Sequence, residues 1–287
     1  MKSSNHMFLT PGLLCLALLL LVPTLARADH RAPYVIGNER YGVLGPSYFV
    51  GTNPNGPNGN EQVKFHTSVR YRMVEFERLH LGIPERMQLQ LYFAFTQTSF
   101  WNLYDESAPF FDNNFQPESF LYFTEKSWPL SLSIGVRHQS NGRSDPVSRG
   151  WNRAYGAVHF GSPETNAIFG SATWWGFGDW SVWGHDRTNA DILDYFGRGN
   201  LELYIAPGQL LRKGTLFPFR VCGFLLRIPI GGQQFIPGIE ASLFLGLPQE
   251  EYFSPSLMVQ YVDGFGQRLI DYDRDQTSWR FGLALIR

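Results

Sequence analysis

The sequence predicts an all-β protein, a transmembrane antiparallel β-barrel of about twelve strands. Three observations support this fold class. The composition favours strands and turns, with 24 Phe, 13 Tyr and 8 Trp beside 29 Gly and 18 Pro. Apolar and polar residues alternate along segments of about 9–14 residues, and about 11 or 12 such segments can be marked. The first residues have the pattern of an export signal.

Residues 1–28 are predicted to be a signal peptide. An apolar run from Leu13 to Val22 is followed by the small-x-small pattern Ala26-Arg27-Ala28. The run has about half of the roughly 20 residues that a membrane-spanning helix needs, so we expect cleavage after this pattern rather than a retained anchor. Residues 29–287 are then expected to form one barrel domain, because no linker or internal repeat divides them.

The alternation of apolar and polar residues, with a period of two, is clearest in two segments. Between Met87 and Phe95 the odd-numbered positions are all apolar, whereas Gln88 and Gln90 are among the even ones. Residues 278–285 repeat the pattern. Successive side chains of a strand point to opposite faces of the sheet, so each segment has one apolar and one mixed face. We expect the apolar faces to contact lipid and the mixed faces to line the barrel interior.

Alternation alone does not distinguish a transmembrane barrel from a soluble sandwich. The strand length is close to the roughly 9–11 residues that cross a bilayer at a tilt, and aromatic pairs such as Phe100-Trp101 and Trp174-Trp175 resemble interfacial girdles. After the signal peptide no stretch of about 18 apolar residues follows, which excludes a helical membrane protein. With 24 basic and 25 acidic residues, the chain lacks the broad basic surface that a nucleic-acid partner requires.

One strand ends in residues suited to nucleophilic catalysis. An apolar stripe that begins at Leu132 continues into His138 and Ser140, which lie on the same face about 6.6–7 Å apart. After a turn through residues 141–146, Asn152 is expected as a cross-strand neighbour. Its carbonyl can accept the Nδ1 hydrogen of His138, which leaves Nε2 to take the Ser140 proton. The spacing is also compatible with interfacial residues that are merely solvated by lipid head groups.

These three residues lie within a longer sequence motif. Residues 137–146 (Arg-His-Gln-Ser-Asn-Gly-Arg-Ser-Asp-Pro) and 148–153 (Ser-Arg-Gly-Trp-Asn-Arg) closely resemble the active-site signature of outer-membrane phospholipase A, a family of twelve-stranded barrel hydrolases. Further similar blocks lie at residues 95–101, 114–118, 264–266 and 269–272. The resemblance implies that His138, Ser140 and Asn152 are the general base, the nucleophile and the orienting residue for hydrolysis of phospholipid acyl esters.

The same resemblance implies a bacterial outer-membrane protein that depends on calcium and acts as a homodimer. The implied calcium ligands are the backbone carbonyl of Arg143, the hydroxyl of Ser148, the carboxylate of Asp145 and Ser107 of the partner subunit. Calcium is a hard cation that binds such oxygen donors. Val147 departs from the hydroxyl residue of the family pattern, which affects the expected details of the loop and none of the triad.

Gln97 is predicted to lie in the dimer interface. It shares the face of Leu91 and Phe93, and a carboxamide facing hydrocarbon is costly unless it finds a hydrogen-bonding partner. The equivalent Gln of a second barrel can supply that partner, and the family resemblance implies a subunit contact here. The alternative is a Gln close enough to the head groups to be wetted.

Three other functions remain open at this level. A structural or pore-forming barrel would use His138 and Ser140 only as interfacial residues. A soluble lectin-like sandwich would purify without detergent. Glu118 and Asp145 are a third candidate, as the acid pair of a glycosidase, which would require a separation of about 5–10 Å.

Overall fold

The computed structural model describes residues 40–52, 63–76, 87–125, 128–161, 167–178, 189–205, 215–216, 219–246 and 255–285. The predicted signal peptide, residues 1–28, lies outside these residues. The strands are β1 (Tyr41–Gly42), β2 (Ser47–Gly51), β3 (Val63–Glu75), β4 (Met87–Trp101), β5 (Phe110–Glu125), β6 (Leu130–Ser140), β7 (Gly150–Phe160), β8 (Ile168–Gly178), β9 (Gly199–Ile205), β10 (Thr215–Leu216), β11 (Phe219–Ile230), β12 (Gly238–Gly246), β13 (Pro255–Gly264) and β14 (Gln276–Leu285). A helix of five residues, α1 (Ile192–Phe196), precedes β9. Within the described ranges no helix has the length and hydropathy of a membrane span.

Twelve of these strands form a closed antiparallel ring. Each strand from β2 to β9 pairs with the next along the chain, β9 pairs with β11, and β11 to β14 continue in order. The ring closes where β14 pairs with β2, with Leu283 opposite Phe49. The short strands β1 and β10 pair with β3 and β11 and add no member to the ring. The predicted barrel of about twelve antiparallel strands is therefore confirmed.

The two faces of the barrel wall differ as the alternation predicts. Outward side chains are exposed: Ile134 to 57%, Trp279 to 56% and Leu283 to 53%. Inward side chains are buried: Gln90 is 4% exposed and Arg280 is 1% exposed. An apolar outer wall around an enclosed polar face is the arrangement of a membrane barrel and the reverse of a soluble sandwich.

Ion pairs occupy the barrel interior. Glu240 accepts hydrogen bonds from Lys64 at 3.0 Å and from Arg227 at 2.7 Å. Arg227 also donates to Glu202 at 3.0 Å. Buried charges are costly unless they are paired and hydrogen-bonded, and these four side chains satisfy one another. Such a network stiffens the wall from inside and leaves the outer face to the apolar side chains.

The β13–β14 connection and α1 pack against the interior side chains at one end of the barrel. Asp112 on β5 accepts hydrogen bonds from the backbone amides of Leu269 and Ile270 at 3.0 and 3.2 Å. The Tyr272 hydroxyl donates to Asp191, which precedes α1. Burial and this hydrogen bond raise the pKa of Tyr272, so its proton stays in place to make the contact. These contacts attach the connection to the strand that neighbours β6.

We expect Gly282→Ala to weaken the β14–β2 seam. A Cβ at this position would lie 2.0 Å from the Phe49 carbonyl oxygen and 2.7 Å from Val50 Cα, so the two strands would have to separate. Unfolding by denaturant in detergent should show a loss of about 1–3 kcal/mol, the usual cost of overpacking. Gly156→Ala is the matched control, because its Cβ would approach nothing closer than 4.0 Å. Equal stability of the two variants would contradict the seam as a tight contact.

Candidate active site

His138, Ser140 and Asn152 lie together on the outer face of the barrel wall. β6 ends at Ser140, and in the β6–β7 ladder His138 is directly opposite Asn152 while Ser140 is opposite Gly150. The exposed residues Leu132, Ile134 and Val136 precede them on the same face of β6. The structure thus brings the three predicted residues to one end of two adjacent strands.

The imidazole of His138 is oriented by Asn152. Nδ1 of His138 and Oδ1 of Asn152 are 2.8 Å apart. Because an amide oxygen only accepts, Nδ1 carries the hydrogen, and in the neutral imidazole Nε2 is then the nitrogen that can accept a proton. Both side chains are half-buried. Within the described residues, Ser140 makes no hydrogen bond to His138, although both point to the outer face. Catalytic hydrogen bonds are often absent before substrate binds.

Gln139, between His138 and Ser140, points the other way and anchors the end of β6 from inside. Its Oε1 accepts hydrogen bonds from Trp151 Nε1 at 3.1 Å and from Arg153 Nη2 at 2.9 Å. Its Nε2 donates to Asn114 at 3.4 Å. Gln139 is only 4% exposed, so these bonds are made away from bulk water. We did not expect this role from the sequence, where the only signal is a polar residue at an inward position.

Glu118 and Asp145 are not brought together. Glu118 is buried in the barrel interior, where its Oε2 accepts from Arg137 at 2.8 and 3.0 Å and from the Tyr155 hydroxyl at 2.8 Å. Asp145 is exposed in the β6–β7 loop. A glycosidase needs both carboxyl groups on one substrate, so the glycosidase hypothesis was wrong.

The β6–β7 loop carries the three predicted calcium ligands of this chain. Arg143 is tied to β5 by its guanidinium, which donates to the carbonyl oxygens of Phe110 and Phe111 at 3.1 and 2.5 Å. Ser148 is half-buried, and its hydroxyl makes no hydrogen bond within the described residues. A carbonyl, a free hydroxyl and the exposed Asp145 carboxylate are hard oxygen donors and fit calcium. In the described part of the chain no group of three or more His, Cys, Asp and Glu could hold a metal.

Asn141 organises this loop, a role that was not expected from the sequence. Its side chain bonds to both sides of the loop: Nδ2 donates to the Val147 carbonyl at 2.8 Å, and Oδ1 accepts from the amides of Arg143 and Arg149 at 3.3 and 3.0 Å. The side chain is 3% exposed. The available signal was an Asn directly before a Gly at a strand end, which is typical of turns.

Ser107 and Gln97 lie where a second molecule could reach them. Ser107 is exposed in the β4–β5 turn with φ of 62°, and among the described residues it makes no hydrogen bond. Gln97 on β4 is opposite Phe115, which is opposite Ser140, so Gln97 is two strands away from Ser140 on the same face. Its Nε2 donates to Ser99 at 3.0 Å. The carboxamide nitrogen is therefore hydrogen-bonded within the chain, whereas the oxygen has no partner among the residues that the structure describes.

Comparisons with known proteins agree with the barrel and with the resemblance. A family model described as phospholipase A1 matches residues 44–215. Phospholipase A1 of Escherichia coli K12 is 31% identical over 202 residues, which cover 67% of this chain and 61% of the relative. The chain thus spans less than two thirds of the length of that relative.

Solved structures of the same group have the same fold. Outer membrane phospholipase A from Escherichia coli aligns with a TM-score of 0.63 at 24% identity over 90% of this chain and 94% of that one, and it has also been solved as an active-site mutant in which alanine replaces an asparagine. The Salmonella typhi enzyme, a dimer with bound calcium, aligns with a TM-score of 0.63 at 24% identity over 86% of this chain and 92% of that one. From the family match and the sequence identity, the chain belongs to the phospholipase A1 family.

Proposed function

We propose that this protein is a calcium-dependent phospholipase of the bacterial outer membrane that hydrolyses acyl ester bonds of phospholipids and lysophospholipids. The observation that carries the proposal is the 2.8 Å contact between His138 Nδ1 and Asn152 Oδ1, with Ser140 on the same outward face. A structural or pore-forming barrel gives no role to an oriented imidazole on the lipid-facing wall. The family membership adds support from the sequence.

The first half of the reaction forms an acyl-enzyme. Ser140 Oγ attacks the ester carbonyl carbon while its proton passes to Nε2 of His138, and the carbonyl oxygen takes up the negative charge. The tetrahedral intermediate then collapses, the ester bond to the glycerol oxygen breaks, and that oxygen leaves with the proton from His138. The products are a lysophospholipid and an ester between the acyl group and Ser140.

The second half releases the acyl group. A water molecule attacks the acyl carbonyl carbon as its proton passes to His138, and collapse of the second intermediate returns that proton to Ser140 Oγ. The product is a free fatty acid. Because the triad is on the outer wall, an ester carbonyl still anchored in the membrane can reach Ser140 without entering the barrel.

Asn152 acts through orientation rather than charge. Its carbonyl accepts from His138 Nδ1 in both protonation states of the imidazole, which keeps Nε2 directed outward. A neutral amide gives less stabilisation to an imidazolium than a carboxylate would. The asparagine altered in the Escherichia coli active-site mutant supports a catalytic asparagine in this family.

The residues proposed to hold calcium are the carbonyl of Arg143, the hydroxyl of Ser148 and the carboxylate of Asp145. Bound there, calcium supplies a positive charge that stabilises the developing oxyanion. Three ligands are fewer than the six to eight oxygen atoms that calcium takes, so Ser107 of the partner subunit and water are proposed to complete the site. The calcium-bound Salmonella typhi dimer supports both the metal and the homodimer.

We expect Ser140→Ala to abolish release of fatty acid from mixed micelles, with or without calcium, because the variant lacks the proposed nucleophile that forms the acyl ester. A sulfonyl fluoride should modify Ser140 of the wild-type protein, as peptide mass mapping would show, in step with loss of activity. Ser119→Ala is the matched control, since Ser119 is on β5 next to β6 and opposite Val136, and should retain activity. Full activity of Ser140→Ala would overturn the proposal.

Asn152→Ala is expected to cost about 10- to 100-fold in kcat/KM, the value of one lost hydrogen bond to a charged partner. His138→Ala should cost on the order of 1000-fold or more, because the proton then has no acceptor. Asn152→Asp retains the acceptor and should keep more activity than Asn152→Ala. Kinetics on one micellar substrate would test the ranking, and an Asn152→Ala loss as large as that of His138→Ala would contradict it.

Gln97→Ala should weaken calcium-dependent dimerisation by about 3- to 30-fold, the range for a polar contact between membrane proteins. The physical reason is the unsatisfied carboxamide oxygen on the lipid-facing wall. Sedimentation equilibrium in detergent measures the effect. Gln88→Ala is the control, because Gln88 is on the same strand and has the inward parity of Gln90. If both variants dimerise as the wild type does, Gln97 is not in the interface.

A further inference from the structure

We propose that Asn141 is a positioning residue that holds the calcium loop in a binding-ready shape and joins it to the nucleophile. The inference rests on the proposed function, because it concerns the same calcium ligands. Asn141 directly follows Ser140, so the residue after the nucleophile is also the residue that closes the loop. It touches neither the substrate nor the metal in this role and acts only through the loop backbone.

The contacts of Asn141 flank two of the three calcium-binding positions proposed for the loop, Arg143 and Ser148. Oδ1 accepts from the amide of Arg143, whose carbonyl is one ligand, at 3.3 Å. On the returning side, Nδ2 donates to the carbonyl of Val147 at 2.8 Å and Oδ1 accepts from the amide of Arg149 at 3.0 Å, so Ser148 is held between two fixed neighbours. The backbone N–H of Asn141 also donates to the Arg149 carbonyl at 3.0 Å.

Only a side chain with a donor and an acceptor on one short stem can make this set of bonds. Asparagine offers both from a planar amide. An alanine would leave three backbone groups of the loop without their partner, and an aspartate would lose the donor to the Val147 carbonyl. The 3% exposure of Asn141 means that water does not replace these bonds readily.

A held loop raises calcium affinity for a general reason. Flexible ligands bind calcium more weakly, because ordering the chain when the ion binds costs conformational entropy. Residues that orient the ligands of a metal from behind typically change metal affinity by about 10- to 100-fold when they are altered. The triad bond between His138 and Asn152 does not involve Asn141, so loss of Asn141 should separate calcium binding from the reactivity of Ser140.

The test is calcium titration by calorimetry on the full-length protein in detergent, together with sulfonyl fluoride labelling of Ser140 in the absence of calcium. Asn141→Ala should weaken calcium affinity by about 10- to 100-fold and leave the labelling rate within about twofold of wild type. Asn189→Ala is the matched control. Asn189 is 2% exposed and donates to the Gly150 carbonyl at 2.7 Å, outside the loop, so its calcium affinity should match the wild type.

Calcium titration of Asn141→Asp is a second test of the proposal, and it does not require the alanine variant to fold. It keeps the two acceptor contacts and adds a negative charge, which by itself would attract calcium. Weaker calcium binding in Asn141→Asp would therefore support the bond to the Val147 carbonyl, and equal or tighter binding would overturn the proposal. A wild-type protein that neither binds calcium nor is labelled at Ser140 would instead defeat the proposed function itself.

Discussion

The closed ring of backbone hydrogen bonds is the constraint on which the rest of the structure depends. A strand surrounded by lipid has no water to satisfy its N–H and C=O groups, so every strand must pair on both sides. The β14–β2 seam completes that requirement. Gly282 permits the close approach at this seam, because a Cβ would lie 2.0 Å from the Phe49 carbonyl oxygen. Closure then defines an outside and an inside for every residue of the wall.

The division into two faces explains how a polar site can exist on an apolar wall. On the inward face, Gln139 accepts hydrogen bonds from Trp151 and Arg153, and Arg137 donates to Glu118. On the outward face of the same strand, His138 and Ser140 continue an apolar stripe. The interior network therefore fixes the strand whose other face carries the proposed chemistry, so that the proposed triad is positioned by interior side chains.

The β6–β7 loop is held in place by different interactions from those that hold the barrel wall. The wall is specified by strand pairing, whereas the β6–β7 loop is held by one buried side chain and by the guanidinium of Arg143 on β5. Three of the proposed calcium ligands lie in this loop, and a further one is proposed from the partner subunit. The proposed activity thus requires three separate conditions: a closed barrel, an ordered loop and a second copy of the chain.

The sequence by itself determined the strand period, the face of each residue and the pairing of His138 with Ser140 on one side, because parity along a strand is a local property. The barrel of about twelve strands, the outward face shared by His138 and Ser140, and the inward Gln90 and Arg280 followed from it. The register of β6 and β7 places Asn152 opposite His138, as the sequence led us to expect. Only the tertiary structure decided the partners of Gln139 and Glu118 and the role of Asn141. These depend on contacts between strands and across a loop, which no periodic pattern in one segment encodes.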